Sequence, residues 1–326
     1  MNIVLVVVDS LRARSLRYAA RAEGFARTPF FDALASRSVH FTAAHATECW
    51  TLPSHLSMFT GLMPSEHGAH FQSMRYDGQV STIAEILRDR GYFTECITRN
   101  SVFDGTIAGV LRGFESLRIP LQPIALAALP TLIFSALSKR RVQRIVEEAG
   151  FFGALQKSNR DFVGQLTRMG MPSDNVALAW ALARMADCAE KQKPLFLFVN
   201  LYDVHSPYCP NESGLIPALT SLDSVREALA LPRVLPLISR HAYLEEGFRL
   251  SEWSRAMLLR RYHAAIELED RKLHRFYEAA LQAGLLDNTL LVITSDHGEA
   301  FGEHGLYLHD ASVFETHLHV PLLIHH

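Results

Sequence analysis

Apolar residues follow two rhythms along this chain. Near-continuous apolar runs, the pattern of strands buried on both faces, occur at Ile3–Val8, Tyr92–Thr98, Pro194–Leu201 and Leu290–Ser295. A further strand is expected over Val39–Ala44. Helical spacing dominates between these runs. Thr28-Pro29 opens one helix, and Ser81–Arg90 forms another with Ile83, Ile86 and Leu87 inward and Gly91 as its stop. A long helix over 258–283 turns Tyr262, Ile266, Leu273, Phe276 and Leu281 inward and ends at Gly284. Strands alternating with helices predict an α/β fold, a mostly parallel central sheet with helices on both faces. Two stretches depart from the alternation: a helical insertion at about 119–190 and a surface excursion at about 210–250.

In such sheets, ligands bind beyond the carboxyl ends of the strands. Asp9, His205 and the pair Asp296-His297 each come directly after a predicted strand, so they are expected to share one site. Thr51 belongs with them. Leu52, Leu56 and Phe59 place a short helix after it, Pro53 suits a first turn, and Gly61 with Pro64 ends it. Thr51 is thus expected just before a helix N-terminus, where unpaired N–H groups and the dipole favour an anion. A hydroxyl there can attack an anionic ester, or it can simply cap the helix.

The run Thr51-Leu-Pro53-Ser54-His55, with Thr60-Gly61, Pro64 and His67-Gly68 after it, resembles the sulfatase signature. In that signature Cys or Ser precedes a Pro-Ser-Arg motif, followed by Thr-Gly, Pro and His-Gly. With residues 3–12, 28–35, 81–100, 113–115, 194–208 and 259–324 also matching in order, the chain is similar to the sulfatase branch of the alkaline phosphatase superfamily. The resemblance implies an alkaline phosphatase-like fold, with 1–326 as one catalytic domain. The family's small C-terminal subdomain is expected to be missing.

Two departures bear on the chemistry. Thr51 stands at the nucleophile position and cannot become the formylglycine that sulfatases make. His55 replaces the usual Arg, and Cys49 lies two residues out of register. Threonine nucleophiles are characteristic of the superfamily's phosphodiesterases, phosphonate hydrolases and phosphotransferases.

Asp9, Asp296 and His297 supply two carboxylates and an imidazole, enough with Thr51 for one divalent cation. The resemblance assigns the same metal positions. Ser10 stands where sulfatases usually carry a second Asp, which shifts the expected ion toward manganese or zinc, with calcium or magnesium as the other options. His205 in Asp203-Val-His-Ser-Pro-Tyr208 and His309 in Gly302-Glu-His-Gly-Leu-Tyr-Leu-His309 match family positions near the transferring group. They are expected to be catalytic, or to hold a weaker second ion with Asp203 as a further ligand. Asn100 falls where the family places substrate contacts. His304 and His67 are expected to orient loops.

Composition narrows the options further. The chain has 326 residues, 48% of them apolar, and a net charge of −2, so it can bury a large core and shows no basic footprint for nucleic acid. Four separated cysteines, Cys49, Cys96, Cys188 and Cys209, form no disulfide framework. Met1 leads straight into the first strand, leaving no room for a signal peptide, so a cytoplasmic location is expected. Residues 119–137 carry one charge-free run ending before Lys139, but Pro120, Pro123 and Pro130 favour a lid or a buried insertion over membrane contact.

The expected function is therefore metal-dependent hydrolysis of a small anionic phosphate, phosphonate or sulfate ester through Thr51. The alternatives are a sulfatase proper, a phosphotransferase and a non-catalytic metal-binding relative.

Overall fold

The computed structural model describes residues 1–18, 25–70, 78–103, 109–119, 174–208, 248–309 and 312–326, with 73, 76, 227, 230–231, 234–235 and 238 between them. Its centre is a seven-stranded sheet. The strands are β1 (Asn2–Val8), β2 (Val39–His40), β3 (Phe93–Thr98), β4 (Ser116–Arg118), β5 (Leu195–Leu201), β6 (Thr289–Thr294) and β9 (Leu322–His325), in the order β2-β9-β6-β1-β5-β3-β4. β1 sits in the middle and pairs in parallel with β5 (Ile3 opposite Phe196) and with β6 (Ile3 opposite Leu290). β9 and β2 run antiparallel at one edge.

The apolar runs become strands because both faces of the sheet are covered. Val4, Val6 and Val8 pack under α1 (Pro29–Ala35), α5 (Asp174–Glu190) and α6 (Glu252–Gln282). Val7 faces the other way, with Leu52, Leu56 and Phe59 of α2 (Thr51–Thr60). Each such valine is fully buried, contributing about 1.5–3 kcal/mol by area. α4 (Ile83–Asp89) closes that second face through Ala84 and Leu87. Its N-cap Thr82 accepts from Glu85 N while Glu85 accepts from Thr82 N, a reciprocal capping box. The short α3 (Pro64–His67) follows α2, and α7 (Glu315–Leu318) precedes β9. A two-stranded hairpin, β7 (Ala300–Phe301) with β8 (Tyr307–Leu308), follows β6.

Several elements differ from the sequence reading. The strand expected over Val39–Ala44 is two residues long, because both are exposed at the sheet edge and pair only with β9. α6 begins at Glu252, six residues early, with Ser251 accepting from Ser254 N as cap. Ile86 and Leu281 are 38% and 43% exposed, not inward. Helical spacing identifies an apolar stripe but not its edges, which the neighbouring helices decide. Leu231, Val234 and Ile238, within the expected surface excursion, pack into the main core. The charge-free run after residue 119, and Cys209, lie outside the described residues. Among the described residues, no helix is long and apolar enough to cross a membrane.

Candidate active site

Three strand ends deliver the site. Asp9 follows β1, and its N–H donates to Leu201 O at the end of β5 (2.9 Å). Asp296 and His297 follow β6. Ligand atoms of Asp9, Asp296 and His297 all lie within 4.8 Å of one another, and all three residues are buried. His297 Nε2 is 3.3 Å from Asp296 Oδ2 and 3.9 Å from Asp9 Oδ1.

Ser10 takes a left-handed conformation (φ 63°) that non-glycine residues rarely adopt. The conformation aims its N–H at Asp296 Oδ1 (3.2 Å), while its hydroxyl donates to Asp9 Oδ1 (3.1 Å). It orients both carboxylates, where a second Asp would add charge. Tyr262 of α6 holds this turn, donating to Ser10 O (2.7 Å) and accepting from Arg12 N (2.9 Å). Gly298 leaves no room for a side chain, since a Cβ would lie 2.2 Å from Thr316 O.

Thr51 enters from the other face. Trp50, extended, is the N-cap, so Thr51 is the first helical residue and not the cap expected from sequence. Its hydroxyl is 4% exposed with its residue and accepts from Asn100 Nδ2 at 3.4 Å. The same Asn100 amide donates to Asp9 Oδ2 at 2.9 Å, tying hydroxyl and carboxylate together. Ser54, one turn on, donates to Asp296 O at 2.6 Å and pins the helix to the β6 end. His55 Nδ1–H donates to Thr51 O at 2.7 Å. Its ring sits among Phe59, Phe103 and Phe198, and burial lowers its pKa to about 4, so it is neutral. His55 therefore contributes no fixed positive charge to the site.

The donor set fits a divalent cation. His297 Nδ1–H donates to Gly298 O (2.9 Å), which leaves Nε2 with its lone pair inward. That Nε2 and Asp296 Oδ2 are both buried without a hydrogen-bond partner. Burial, then the charge of Asp9, holds the Asp296 carboxyl well above the usual range. Burial, then His309, pushes His297 well below its ordinary value. A bound cation would satisfy both orphaned atoms and reverse both penalties.

His309 and His205 also converge here. His309 stacks on His297 with centroids 4.3 Å apart, and His205 meets His309 edge-on at 5.0 Å. Glu299 Oε1, 3.0 Å from His309 Nδ1, orients that ring, and Tyr208 OH donates to Glu299 Oε2 at 3.2 Å. Burial keeps His205 below its ordinary pKa, against the opposing charge of Asp9. His205 stacks on Tyr202 at 4.3 Å. His67, expected to orient a loop, has its Nε2 3.1 Å from Ser57 Oγ and its Nδ1 accepting from Ala69 N at 3.1 Å. His304 stacks on Phe314 at 3.8 Å. Cys49 is buried, its sulfur accepting from Ser312 N at 3.4 Å.

Asp203 is not placed to ligate a second ion. It is ion-paired to Arg99 and to Lys272, which also reaches Glu269 at 3.2 Å, while Asp174 lies 3.6 Å from Arg99. Asp174, Asp203 and Glu269 are close enough together to hold a metal, yet two internal cations already occupy the cluster. Burial raises Asp203, but Arg99 and Lys272 outweigh it and hold the carboxyl below the usual range. Burial raises Glu269 to about 8, so it is protonated at neutral pH. The folded protein thus keeps a proton that the unfolded chain has released between about pH 5 and 8. Stability falls as pH rises through that window. Glu269→Gln should match wild type near pH 5 and become progressively more stable than it as pH rises toward 8 in urea unfolding. An equal gap at every pH would contradict the assignment.

The sequence pointed to Asp9, Thr51, His205, Asp296, His297 and His309, and the fold brings all six together. It did not give roles to Ser10, Ser54 or Glu299, whose contacts are all long-range or conformational; only the Glu299 position within Asp296-His-Gly-Glu299 was a usable signal.

The comparisons with known proteins cover the whole chain. Residues 1–326 match the sulfatase family. Choline-sulfatase of Rhizobium meliloti (strain 1021) is 26% identical over 99% of this chain and 62% of its own length. Human iduronate 2-sulfatase is 24% identical over 100% of this chain and 59% of its own length. The chain therefore spans about 60% of these curated relatives, 62% and 59% respectively. The phosphonate monoester hydrolase of Agrobacterium radiobacter shares the fold, with a TM-score of 0.60 at 23% identity over 99% of this chain and 67% of that one. Neighbours of this kind confirm the α/β sheet expected from the apolar runs. With its full length matched and its strand-end residues gathered in one site, the chain belongs to the sulfatase family.

Proposed function

We propose that residues 1–326 form one catalytic domain that hydrolyses a small anionic ester, with Thr51 as nucleophile and Asp9, Thr51, Asp296 and His297 as ligands of one divalent ion, manganese or zinc before calcium or magnesium. The observation that carries this reading is the Asn100 amide, which ties the Thr51 hydroxyl to Asp9 at the mouth of a buried Asp-Asp-His cluster. A bound divalent cation would supply Lewis acidity, lowering the hydroxyl's pKa and offsetting charge on the ester.

The chain's own groups do the rest. Asn100 and the first turn of α2 orient Thr51 Oγ1 for in-line attack. The bond from the threonine oxygen to the phosphorus or sulfur forms as the bond to the leaving alcohol breaks. His205 or His309, in its neutral form, takes the Thr51 hydroxyl proton and passes it to the leaving oxygen; water then attacks the phosphorus or sulfur, releasing the acid and restoring the threonine hydroxyl. Such acid and electrostatic roles are worth roughly two to four orders of magnitude each.

Phosphodiesters or phosphonate monoesters are the preferred substrates, since a threonine cannot form the aldehyde hydrate used on sulfate esters. The sulfatase names of the curated relatives favour a sulfate ester as the second reading. The test is a matrix: chelated protein restored with Mn, Zn, Mg or Ca, assayed on an aryl sulfate, a phosphomonoester, a phosphodiester and a phosphonate monoester. A higher kcat/KM on the sulfate, or a formylglycine at Cys49 by mass spectrometry, would reverse the preference.

His309 separates one metal from two. With Asp203 engaged by Arg99 and Lys272, His205 and His309 make a sparse second site. His309→Ala should cut kcat by about 10²-fold or more while one tightly held equivalent of metal remains after dialysis. Two equivalents in wild type falling to one in the variant would mean that His309 is a ligand.

A further inference from the structure

Outside the active site, the fold gathers two imidazoles and a carboxylate on the surface, where the segment leading to Thr51 meets α7. His45 and His319 face each other in an isolated antiparallel bridge. Backbone hydrogen bonds flank it on both sides, from Ala46 N to Leu318 O (2.8 Å) and from Val320 N to Ala44 O (3.1 Å), and Ala13 N donates to His319 O (3.0 Å). Residues opposite one another in an antiparallel pair send their side chains to the same face, with Cβ atoms about 4.5–5.5 Å apart. Glu315 opens α7 and His319 follows it at the i,i+4 spacing, so one helical turn sets these two side by side as well.

Hydrogen bonds fix which nitrogens face inward. His45 Nδ1 lies 3.1 Å from Ala43 O, and His319 Nε2 lies 3.1 Å from Thr42 O. A carbonyl oxygen only accepts, so each of those nitrogens carries the hydrogen. The other nitrogen of each ring is turned to Glu315: His45 Nε2 is 3.0 Å from Oε1, and His319 Nδ1 is 3.9 Å from Oε2. An imidazole that gives its N–H to a carbonyl and aims its opposite nitrogen at a shared point is oriented as metal-binding histidines are. Two such nitrogens beside a carboxylate call for positive charge between them, supplied by protons or by a cation.

The dimensions suit one ion. Ligand atoms about 2.0–2.2 Å from a tetrahedral ion stand roughly 3.3 Å from one another, a value between the two contacts that Glu315 makes. Two imidazoles on such an ion have ring centroids about 5 Å apart. Those of His45 and His319 are 5.5 Å apart. The rings are inclined by only 27°, so closing both nitrogens on the ion takes a turn of the His45 ring, which its exposure permits. Two nitrogens and one carboxylate favour a borderline ion such as zinc over magnesium, which prefers an all-oxygen shell.

We propose that His45, Glu315 and His319 form a surface site for a zinc-class divalent ion, sharing no ligand with the buried Asp9–Asp296–His297 cluster. Bound there, the ion would clip the segment leading to Thr51 onto α7. The proposal does not depend on the ester-hydrolase reading.

Calorimetric titration of the intact protein with Zn²⁺ counts the sites. Wild type is expected to take up one more saturable equivalent than His45→Ala/His319→Ala. Glu315→Gln should weaken that equivalent at least about tenfold. His274→Ala should leave it unchanged, a control in the exposed His274–Glu278 pair of α6. Equal stoichiometry in wild type and the double variant would overturn the site, and unchanged affinity in Glu315→Gln would remove the carboxylate from it. Modification of wild type with diethylpyrocarbonate needs no variant. Zn²⁺ should suppress labelling of both His45 and His319, read by peptide mass spectrometry, and Mg²⁺ should not. Unchanged labelling of either ring under Zn²⁺ would overturn the pairing, and equal protection by Mg²⁺ would overturn the ion class.

Discussion

Thr51→Val is expected to lower kcat on a phosphonate monoester by about 10³-fold or more, the usual scale for losing a covalent nucleophile. The substitution is nearly isosteric. The hydroxyl's one hydrogen bond is the long 3.4 Å contact from Asn100, and Asn100 keeps Asp9 Oδ2 as its partner. Stability should therefore change by less than about 1 kcal/mol. Circular dichroism, urea unfolding and metal content should all match wild type. Thr51→Ser should retain much of the activity, because it keeps an oxygen on the same helix turn. Wild-type turnover in Thr51→Val would remove the threonine from the chemistry and return attention to a water nucleophile held by the Asp-Asp-His cluster.

The second large effect concerns the cation. Chelation should abolish turnover, and Asp296→Asn should do the same with the fold intact. The two changes differ in stability, which makes them informative together. At about 100 times its dissociation constant, a metal bound only by the folded state adds about 2.7 kcal/mol, seen as a rise in Tm on titration. Asp296→Asn should lose that rise. Without metal, the variant should be at least as stable as wild type, since it removes one of two buried carboxylates that face each other beside His297. Full turnover in excess chelator, with metal absent by elemental analysis, would defeat the metal-dependent reading. A metal-free variant much less stable than wild type would show that Asp296 serves mainly the fold, through its hydrogen bonds from Ser10 N and His297 N.

The sequence alone determined the sheet and the positions of most site residues. Val-rich and Phe-rich runs such as Ile3–Val8 and Leu195–Leu201 are legible because a strand covered on both faces has no polar side to interrupt it. Asp9, His205, Asp296 and His297 are legible for a related reason: a parallel sheet sends all its strand ends to one edge, so residues directly after strands must meet. The Thr51 helix was legible from Pro53, Gly61 and the Leu52–Leu56–Phe59 stripe, though only the structure moved the cap back to Trp50.

What tertiary structure decided are the contacts between residues far apart in sequence. Asn100 meets Asp9 across 91 positions, and Lys272 meets Asp203 across 69. No local pattern encodes such pairs. The exposed faces of Ile86 and Leu281 were also settled by packing, since a helix's stripe has no edge until a neighbour covers it. Nothing local in the sequence marks Lys272 and Arg99 as buried, and charged residues seldom are. Tertiary packing buries them, where Asp174 at the start of α5 and Asp203 after β5 supply the carboxylates that such burial requires and the Glu269 carboxyl of α6 adds a hydrogen bond from Lys272.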